Sequence, residues 1–435
     1  MRWKSGKRGA VPTLLAAMAL SACWASQGFA ADLGGDCCAD LEERISELEA
    51  TAARKGNRKV SLTISGWVSE QVVHWDDGVE SGTYVTGLGT AFASNVNIKG
   101  SAQITRDLSA GYVMQIELID SDVYTTNQNT PDGPAAMTGS PNSTQVLFSY
   151  WYLKSEQLGQ ISVGKLSQAD DNVVVALDSS GTLAAAYWVG YDVFGFNVRG
   201  NFAPGDSLIW GNASSCRNWG GGPGDCDGLP HNSVRYDTPV FAGFSASASW
   251  GESDEWAAQV RYANTLGNFK VAAAVAYGET NDPHLGAPRG GKLEYTQAGL
   301  YVENLPSGWF ATAGYGHLDQ TANVLDNPAT DTWYVKSGVR MKLTAIGATI
   351  PYAEYLGANN SAMIVNDSGT LDDTSDDVGR VVEGSSTTWW GLGVVQEIDA
   401  AAMSVWLRYR EHSVDVPGVD TKDMSTIVAG AFINF

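Results

Sequence analysis

From Val60 to the end of the chain, apolar and polar residues alternate with a period of two. In one representative run, Met114, Ile116 and Leu118 alternate with Gln115 and Glu117. This is the repeat of a β-strand, whose successive side chains point to opposite faces. No stretch after the first thirty residues approaches the roughly 20 apolar residues that a membrane helix needs. The pattern therefore predicts an all-β chain and excludes a helical membrane protein.

The connections between the predicted strands indicate what kind of β-protein this is. Short turns recur at 106–109, 156–159, 265–268, 304–308 and 397–400. Long polar links alternate with them at 77–90, 121–143, 169–231, 279–291, 320–330, 357–384 and 412–424. A soluble sandwich packed on one face would also show period-two alternation, but short turns at one end and long loops at the other are typical of a transmembrane barrel. Residues 60–435 are thus predicted to form a closed antiparallel barrel of about sixteen strands.

The C-terminal strand and the aromatic residues support a membrane barrel. Ile427, Ala429, Ala431, Ile433 and Phe435 share one face of the last predicted strand. A terminal Phe after such a strand resembles the signal that outer-membrane barrel-assembly machinery recognises. Aromatic residues near strand ends fit interfacial girdles. They are Tyr150, Trp151, Tyr152, Trp188, Trp250, Trp256, Trp309, Trp333, Trp389 and Trp390.

Residues 1–30 predict a secretory signal peptide. Four basic residues lie within 2–8, an apolar stretch covers 10–24, and small residues at 28–30 suit cleavage before Ala31. A second interpretation remains open, because the sequence LSAC at 20–23 resembles a lipoprotein signal in which Cys23 would be lipidated.

Residues 31–59 form a different segment, which we expect to be helical and periplasmic. Leu41, Ile45 and Leu48 have the spacing of a coiled-coil seam, which favours a small trimeric coil beneath a trimeric barrel. A solvated amphipathic helix without a partner is the alternative, although so short a helix is marginal in water. Whether Cys37 and Cys38 form interchain disulfides is also open.

Charge and cysteine content exclude several functions. The chain has 27 basic and 48 acidic residues, a net charge of −21, which argues against nucleic-acid binding. Cys216 and Cys226 could close a small Gly-rich loop as a disulfide. No His lies near the cysteine pairs at metal spacing, so we predict no metal and no cofactor. The acidic run 367–377 lacks the spacing of a calcium loop and suggests a solvated loop face, or one bridged by divalent cations to lipopolysaccharide phosphates.

Four segments of the chain resemble a known family. Two runs resemble the start of the alphaproteobacterial porins, namely DCCADLEERI at 36–45 and RKGNRKVSL at 54–62. Two more, NSVRYDTP at 232–239 and FAGF at 241–244, resemble the segment that follows the constriction loop of these porins. The resemblance implies a homotrimeric general-diffusion porin of the Gram-negative outer membrane, whose third outward loop folds into the lumen.

The third long link, 169–231, is therefore the expected constriction loop, and its length alone indicates a functional loop. This loop carries acidic residues, whereas the alternation of the strands places mainly basic residues on the face that points into the lumen. Lys165 is included by analogy, because its position in the alternation is an apolar one. The candidate pore residues are Lys99, Glu117, Lys165, Asp170, Asp171, Asp178, Arg235, Arg261, Lys336, Arg340, Arg408 and Arg410. A basic wall facing an acidic loop predicts a transverse field and weak ion selectivity.

The predicted function is passive diffusion of small hydrophilic solutes and ions through a water-filled channel. A substrate-selective channel is the main alternative. A barrel-embedded hydrolase or adhesin is a further alternative. However, the five histidines lie in or beside loops, and no nucleophilic residue lies at a spacing from them that is typical of a catalytic site. We therefore expect no enzyme.

Overall fold

The computed structural model describes residues 60–89, 92–119, 126–130, 143–186, 193–213, 230–252, 255–281, 291–321, 327–366 and 378–435. The predicted signal peptide, the helical segment 31–59 with Leu41, Ile45 and Leu48, and the Cys216–Cys226 pair lie outside these ranges and stay predictions. No helix in the described part of the chain is long and apolar enough to cross a membrane.

The described residues contain twenty-one strands, and period-two alternation accounts for most of them. They are β1 Thr63–Asp76, β2 Ser81–Thr86, β3 Asn95–Gln103, β4 Leu108–Ile119, β5 Ser143–Ser155, β6 Gly159–Leu166, β7 Asp206–Ser207, β8 His231–Asp237, β9 Phe244–Gly251, β10 Trp256–Leu266, β11 Phe269–Thr280, β12 Lys292–Asn304, β13 Trp309–Thr321, β14 Thr330–Val339, β15 Met341–Thr344, β16 Gly347–Asn359, β17 Met363–Asn366, β18 Val378–Val381, β19 Ser386–Ile398, β20 Met403–Asp415 and β21 Met424–Asn434.

Eighteen of these strands form one antiparallel sheet that closes on itself. The sheet is a sixteen-strand barrel, because β2 and β3 together make its second strand and β14 and β15 together make its twelfth. Closure joins β1 to β21, and Gly66 and Phe435 exchange both backbone hydrogen bonds at 3.1 and 3.0 Å. The chain terminus thus seals the barrel, and the predicted strand number is confirmed.

The second barrel strand is interrupted, which the alternation did not predict. Residues 77–90 were expected to be a loop, but β2 lies within them and pairs with the outer half of β1. Between β2 and β3 the chain turns into the lumen. There the Phe92 carbonyl accepts hydrogen bonds from Trp67 Nε1 at 3.1 Å and Ser69 Oγ at 2.6 Å. These side-chain bonds replace part of the missing strand pairing.

The outward face carries apolar side chains between two aromatic belts. At the short-turn end, the exposed aromatics include Tyr236, Phe244, Phe269 and Trp309. At the long-loop end they include Trp250, Trp256, Trp333 and Trp390. Such belts mark the two interfaces of a membrane-spanning barrel, in which the short turns are periplasmic. Three aromatic residues that were expected in the girdles do not face the membrane. By the strand register, Tyr150, Tyr152 and Trp389 point into the lumen. Trp188, also expected there, lies outside the described residues.

The long loops also contain structure of their own. The link 357–384, expected to be a polar loop, contributes β17 and β18. They form a separate three-stranded sheet in which β17 pairs with both β18 and β7 of the third loop. An apolar cluster beneath this sheet joins the third loop to the outer barrel wall, through residues that include Trp75, Phe196, Trp210, Ile364 and Met424. The outer mouth is therefore partly filled by packed loop structure.

Candidate pore and constriction loop

The first part of the third loop, residues 169–186, lies inside the barrel and packs against one wall. Its apolar side chains Val173, Leu177, Ala185 and Ala186 are buried. They belong to one apolar cluster with lumen-facing residues of six strands, including Ala272, Ala274, Tyr301, Phe310, Ile350, Tyr352, Val395 and Trp406. Full burial of a Val or Leu side chain contributes about 1.5–3 kcal/mol. The contact is therefore a dry hydrophobic core within the lumen, where alternation predicts polar residues.

A short 3-10 helix, Val175–Leu177, forms the centre of this contact. It approaches the wall closely at Gly299 of β12. A Cβ atom at Gly299 would lie 2.8 Å from Leu177 Cδ1 and 2.9 Å from Val174 Cγ2. Arg261 of β10 donates from Nη2 to the Ala176 carbonyl at 3.0 Å. Glycine on the wall and arginine beside the helix thus fix its position.

A buried ion pair fastens the middle of the loop. Lys336 Nζ of β14 lies 2.5 Å from Asp178 Oδ2, and the two side chains are 0% and 3% exposed. The same ammonium donates to the Ala186 carbonyl at 2.5 Å. Asp178 Oδ1 accepts from the Ser180 backbone N–H at 2.9 Å. Because a buried charge is costly without a partner, Lys336 and Asp178 hold each other and the loop in one arrangement.

Two further arginines of the wall bind backbone carbonyls of the loop. Arg408 of β20 is buried and donates from Nη1 to Ala185 O at 2.6 Å. Arg340, which follows β14, donates from Nη1 to Ser180 O at 3.4 Å and to Glu397 Oε1 at 2.8 Å, while its Nη2 pairs with Glu397 Oε2. These guanidinium groups face loop atoms and a wall carboxylate more than they face water.

Arg410 belongs to a second buried pair, entirely within the wall. Its Nη2 lies 2.8 Å from Glu354 Oε1, and both side chains are 0% exposed. The guanidinium carbon also lies 4.6 Å from the ring centroid of Trp389, a cation–π contact. Tyr334 donates to the other Glu354 oxygen at 2.8 Å. Arg410 is thus neutralised by a wall acid and contributes no free charge to the lumen.

The root of the loop is held by Arg235 of β8. Its Nη1 donates to the carbonyls of Ser167 and Gln168 at 3.1 and 2.9 Å. Its Nε and Nη2 donate to Asp237 Oδ1 at 3.0 and 2.9 Å. Asp170 and Asp171, just beyond the root, are buried, and the Asp170 carbonyl accepts from Gln297 at 2.5 Å. These two acids lie against the wall.

The opposite wall of the lumen, along β3 to β6, is wetter. Lys99 faces the lumen in register with Val113 and is exposed. Tyr150 and Gln160 are half-buried. Glu117 lies towards the outer end of this wall, where it is buried and accepts from Gln145 Nε2 at 3.0 Å. The periplasmic half of this wall is therefore the part of the lumen that remains open to solvent.

Lys165 does not join the lumen residues. It is in register with Ser149 and Asn232 on the outward face, and its Nζ donates to the Val146 carbonyl at 2.7 Å. The physical reason is strand alternation, since the neighbouring Ser162 and Leu166 occupy the inward positions of β6. The analogy that placed Lys165 at the pore is not supported by this position.

The wall carries more inward acidic residues than alternation predicts. Only Glu117 was identified as an inward acid, yet Asp237, Glu354 and Glu397 pair with Arg235, Arg410 and Arg340. Alternation contains a signal for Glu354, which has the same parity as the buried Tyr352 and Leu356. The sequence does not show which face of β16 points inward, because the inward face is also apolar where the loop packs on it.

Polar contacts connect three loops at the outer mouth. Asp77, just after β1, lies 2.6 Å from Arg199 Nε of the third loop, and Gln128 of another loop donates to it at 3.2 Å. Burial raises the pKa of Asp77, but hydrogen bonds from the Glu80 and Val79 backbone, Arg199 and Gln128 outweigh it and hold the pKa below its usual value. The carboxylate thus stays ionised and joins the loops.

Among the described residues, no group of three or more His, Cys, Asp or Glu side chains is placed to hold a metal ion.

The fold is shared with solved outer-membrane proteins. An anion-selective porin from Comamonas acidovorans is 15% identical, with a TM-score of 0.55 over 86% of this chain and 100% of that one. The trimer form of OmpT from Vibrio cholerae is 13% identical, with a TM-score of 0.52 over 86% and 99%. Salmonella typhi OmpF in complex with daunomycin is 14% identical, with a TM-score of 0.52 over 87% and 98%. These identities show the fold alone.

Sequence comparison identifies the family. No curated protein matches the chain. Residues 13–431, however, match the Gram-negative porin family, and this match covers the whole barrel from β1 to nearly the end of β21. With a closed sixteen-strand barrel, aromatic belts at both interfaces and a loop folded into the lumen, the chain belongs to the Gram-negative porin family and is an outer-membrane diffusion channel.

Proposed function

We propose that small hydrophilic solutes and ions cross this porin passively along the β3–β8 side of the lumen. The observation that carries the proposal is the contrast in burial across the lumen. Most lumen-facing side chains of β11 to β20 are buried beneath the loop, whereas Lys99 is exposed and Gln160 is half-buried. Solutes that need water around them would follow the accessible side.

The candidate constriction charges have a different role in this proposal from the one that alternation suggests. Arg261, Lys336, Arg340 and Arg408 bind atoms of the third loop. Arg235 binds the carbonyls of Ser167 and Gln168 at its root. We infer that they act chiefly as anchors that set the width of the channel. The transverse field is correspondingly weak, because three of the wall cations also have wall carboxylate partners. We therefore expect weak ion selectivity, because these ion pairs neutralise the charges of the wall.

A homotrimer is the proposed assembly. The similarity to OmpT of Vibrio cholerae in its trimer form supports it, as does the predicted seam of Leu41, Ile45 and Leu48. The segment 31–59 would lie in the periplasm. Truncation before Val60 should lower the temperature at which trimers dissociate on a semi-native gel; an unchanged temperature would mean that the segment is a spacer.

Several finer assignments rest on the sequence. The motifs at 36–45 and 54–62 support placement among the alphaproteobacterial porins. Phe435 would address the chain to the barrel-assembly machinery, and the outer acidic loops would contact lipopolysaccharide through divalent cations. The Cys216–Cys226 disulfide is tested by a mobility shift on reduction.

Planar-bilayer recording tests the proposed function. Purified protein should give stepwise, ohmic conductance that rises with salt concentration, without saturation by any single ion. A conductance that one solute blocks at low concentration would favour a substrate-selective channel. No conductance from folded protein would contradict a channel role and revive the alternatives of a barrel-embedded hydrolase or adhesin.

A further inference from the structure

A cavity of about 280 Å³ opens on the wetter wall, beneath the root of the third loop. It lies between β5, β6 and β8 and is lined by Phe148, Tyr150, Gln160, Ser162, Arg235 and Asp237, among others. Its volume is just below the range of about 300–1,000 Å³ that is usual for small-molecule sites. Because it faces the accessible part of the lumen, a permeating solute would pass beside it.

The charges in this cavity cancel. Arg235 and Asp237 form an ion pair at 2.9 Å. Every N–H of the guanidinium is used: Nε and Nη2 donate to Asp237, Nη2 also donates to Ser247 Oγ at 3.4 Å, and Nη1 donates to the Ser167 and Gln168 carbonyls. An anion entering the cavity would find no free guanidinium donor, although arginine is the usual anion-binding residue. The cavity is therefore suited to a neutral ligand.

The cavity also offers hydrogen-bond acceptors, beside the hydroxyl groups of Tyr150, Ser162 and Ser167. Gln160 donates its amide to Ser162 Oγ at 2.9 Å, which leaves its side-chain oxygen to accept. Asp237 Oδ2 receives only a 3.2 Å contact from Arg235 Nε, while Oδ1 takes the shorter bonds, including that from Ser247 Oγ at 2.6 Å. A ligand that supplies hydroxyl donors would complete these groups.

Aromatic rings form the apolar side of the cavity. Phe148 and Tyr150 meet edge-to-face, with centroids 6.3 Å apart and planes at 88°. The exposed ring surface next to hydrogen-bond acceptors matches a molecule with one C–H-rich face and hydroxyl groups around its edge. A ring-form sugar has this shape, whereas an open-chain polyol presents no flat face.

Resting on the proposed diffusion function, we propose that this cavity is a weak binding subsite for neutral ring sugars of monosaccharide size. The sugar's C–H face contacts Tyr150 and Phe148, and its hydroxyls donate to Gln160 and Asp237. Binding is reversible and involves no covalent step. The subsite slows sugars beside the constriction and thereby gives a broadly permeable channel a preference among uncharged solutes.

The test is solute block of single-channel current by glucose, with sorbitol as the open-chain comparison of similar viscosity. Glucose should reduce the unitary conductance saturably, and sorbitol should only scale it with viscosity. Tyr150→Ala should raise the half-blocking glucose concentration by about fivefold to tenfold, since it removes an aromatic contact. Tyr150→Phe, which keeps the ring, should retain most of the block.

Tyr152→Ala is the matched control, because Tyr152 faces the lumen on the same strand but does not line the cavity. It should leave the glucose block unchanged. Equal block by sorbitol, or an unaltered glucose block in Tyr150→Ala, would overturn the subsite while leaving the channel function intact. Each variant is first shown to have the same conductance in salt alone as the unsubstituted protein, which shows that its barrel is folded. Absence of any conductance in the unsubstituted protein would instead contradict the channel function.

Discussion

The two walls of the lumen show that a charge on an inward strand position is not the same as a charge in the pore. The β10–β20 wall carries most of the inward cations, yet the third loop covers it and takes Arg261, Lys336 and Arg408 as anchors. The β3–β6 wall has few cations, yet Lys99 there stays exposed. Burial and pairing, more than the count of charges, decide which residues a permeating ion meets.

The difference follows from what each wall has to hold. A loop inside a barrel must satisfy its backbone carbonyls, because buried polar groups without hydrogen bonds are destabilising. Arginine and lysine on the wall supply those donors, as Arg408 does for Ala185. The wall without a loop has no such carbonyls to satisfy, and its polar residues can face water.

The largest expected effect comes from breaking the Lys336–Asp178 pair on the covered wall. Lys336→Met leaves Asp178 as an uncompensated buried carboxylate, which should lower the free energy of unfolding by about 3–5 kcal/mol. Release of the loop should also raise the unitary conductance. Both are measured on purified protein, by denaturant unfolding and by bilayer recording.

The control is the double variant with Lys336→Met and Asp178→Leu, which removes both charges. Replacement of a buried pair by apolar residues is often nearly neutral, so this variant should regain most of the stability. If the double variant is as unstable as the single one, the pair is not what fastens the loop.

A steric change on the same wall should have an intermediate effect. Gly299→Leu would overlap Leu177 and Val174 of the loop and should cost about 1–3 kcal/mol, with a change in conductance. Ala298→Leu, one residue away and facing outward, is the matched control and should alter neither property. Equal effects of the two substitutions would show that the loop does not rest on Gly299.

The outer mouth should respond to acid. The pKa of Asp77 is lowered in the folded protein, so its stabilising contribution is complete above the unfolded value near 3.9 and is lost as pH falls through the folded value. Arg199 is partly exposed, so the loss should be about 1 kcal/mol or less. The protection factors for hydrogen exchange at the Val79 and Glu80 amides, which donate to Asp77, should fall on acidification. Asp77→Asn should abolish this dependence, and a persistent one would assign it to another group.

The smallest expected effect concerns ion selectivity on the open wall. Lys99→Gln should shift the reversal potential in a salt gradient slightly towards cations, because Lys99 is exposed and has a low-dielectric wall behind it. Lys165→Gln removes the same charge from the outward face and should cause no shift. A larger shift from Lys165 than from Lys99 would mean that the register assignment of the two faces is wrong.

Much of this architecture could be predicted from the sequence. The link 279–291 and the turn 304–308 placed β12 to within a residue of its observed ends, and short turns against long loops identified the membrane barrel. Alternation predicts the wrong environment where the inward face of a strand is apolar and not polar. On β16, Ala348, Ile350, Tyr352 and Leu356 point inward and are buried by the loop, so both faces are apolar.

The pairing of the candidate charges could not be predicted. Whether Arg410 meets solvent or Glu354 depends on contacts between strands that are far apart in sequence. Similarly, the break between β2 and β3 depends on side-chain bonds to Phe92, which leave no periodic signal. Local alternation is enough to predict the strands of the barrel. Which lumen residues face water depends on packing between residues that are far apart in the sequence.

The central claim, that one wall conducts and the other is sealed, is tested most directly by cysteine accessibility during conduction. Lys99→Cys and Ala274→Cys place a thiol on the open and on the covered wall, and a cationic methanethiosulfonate reagent is added while current is recorded. The unsubstituted protein, treated in the same way, corrects for the native cysteines. We predict rapid modification and a stepwise fall in current for Lys99→Cys, and no reaction on the same timescale for Ala274→Cys. Equally rapid modification of Ala274→Cys would contradict the account, because it would place water where the loop core is described.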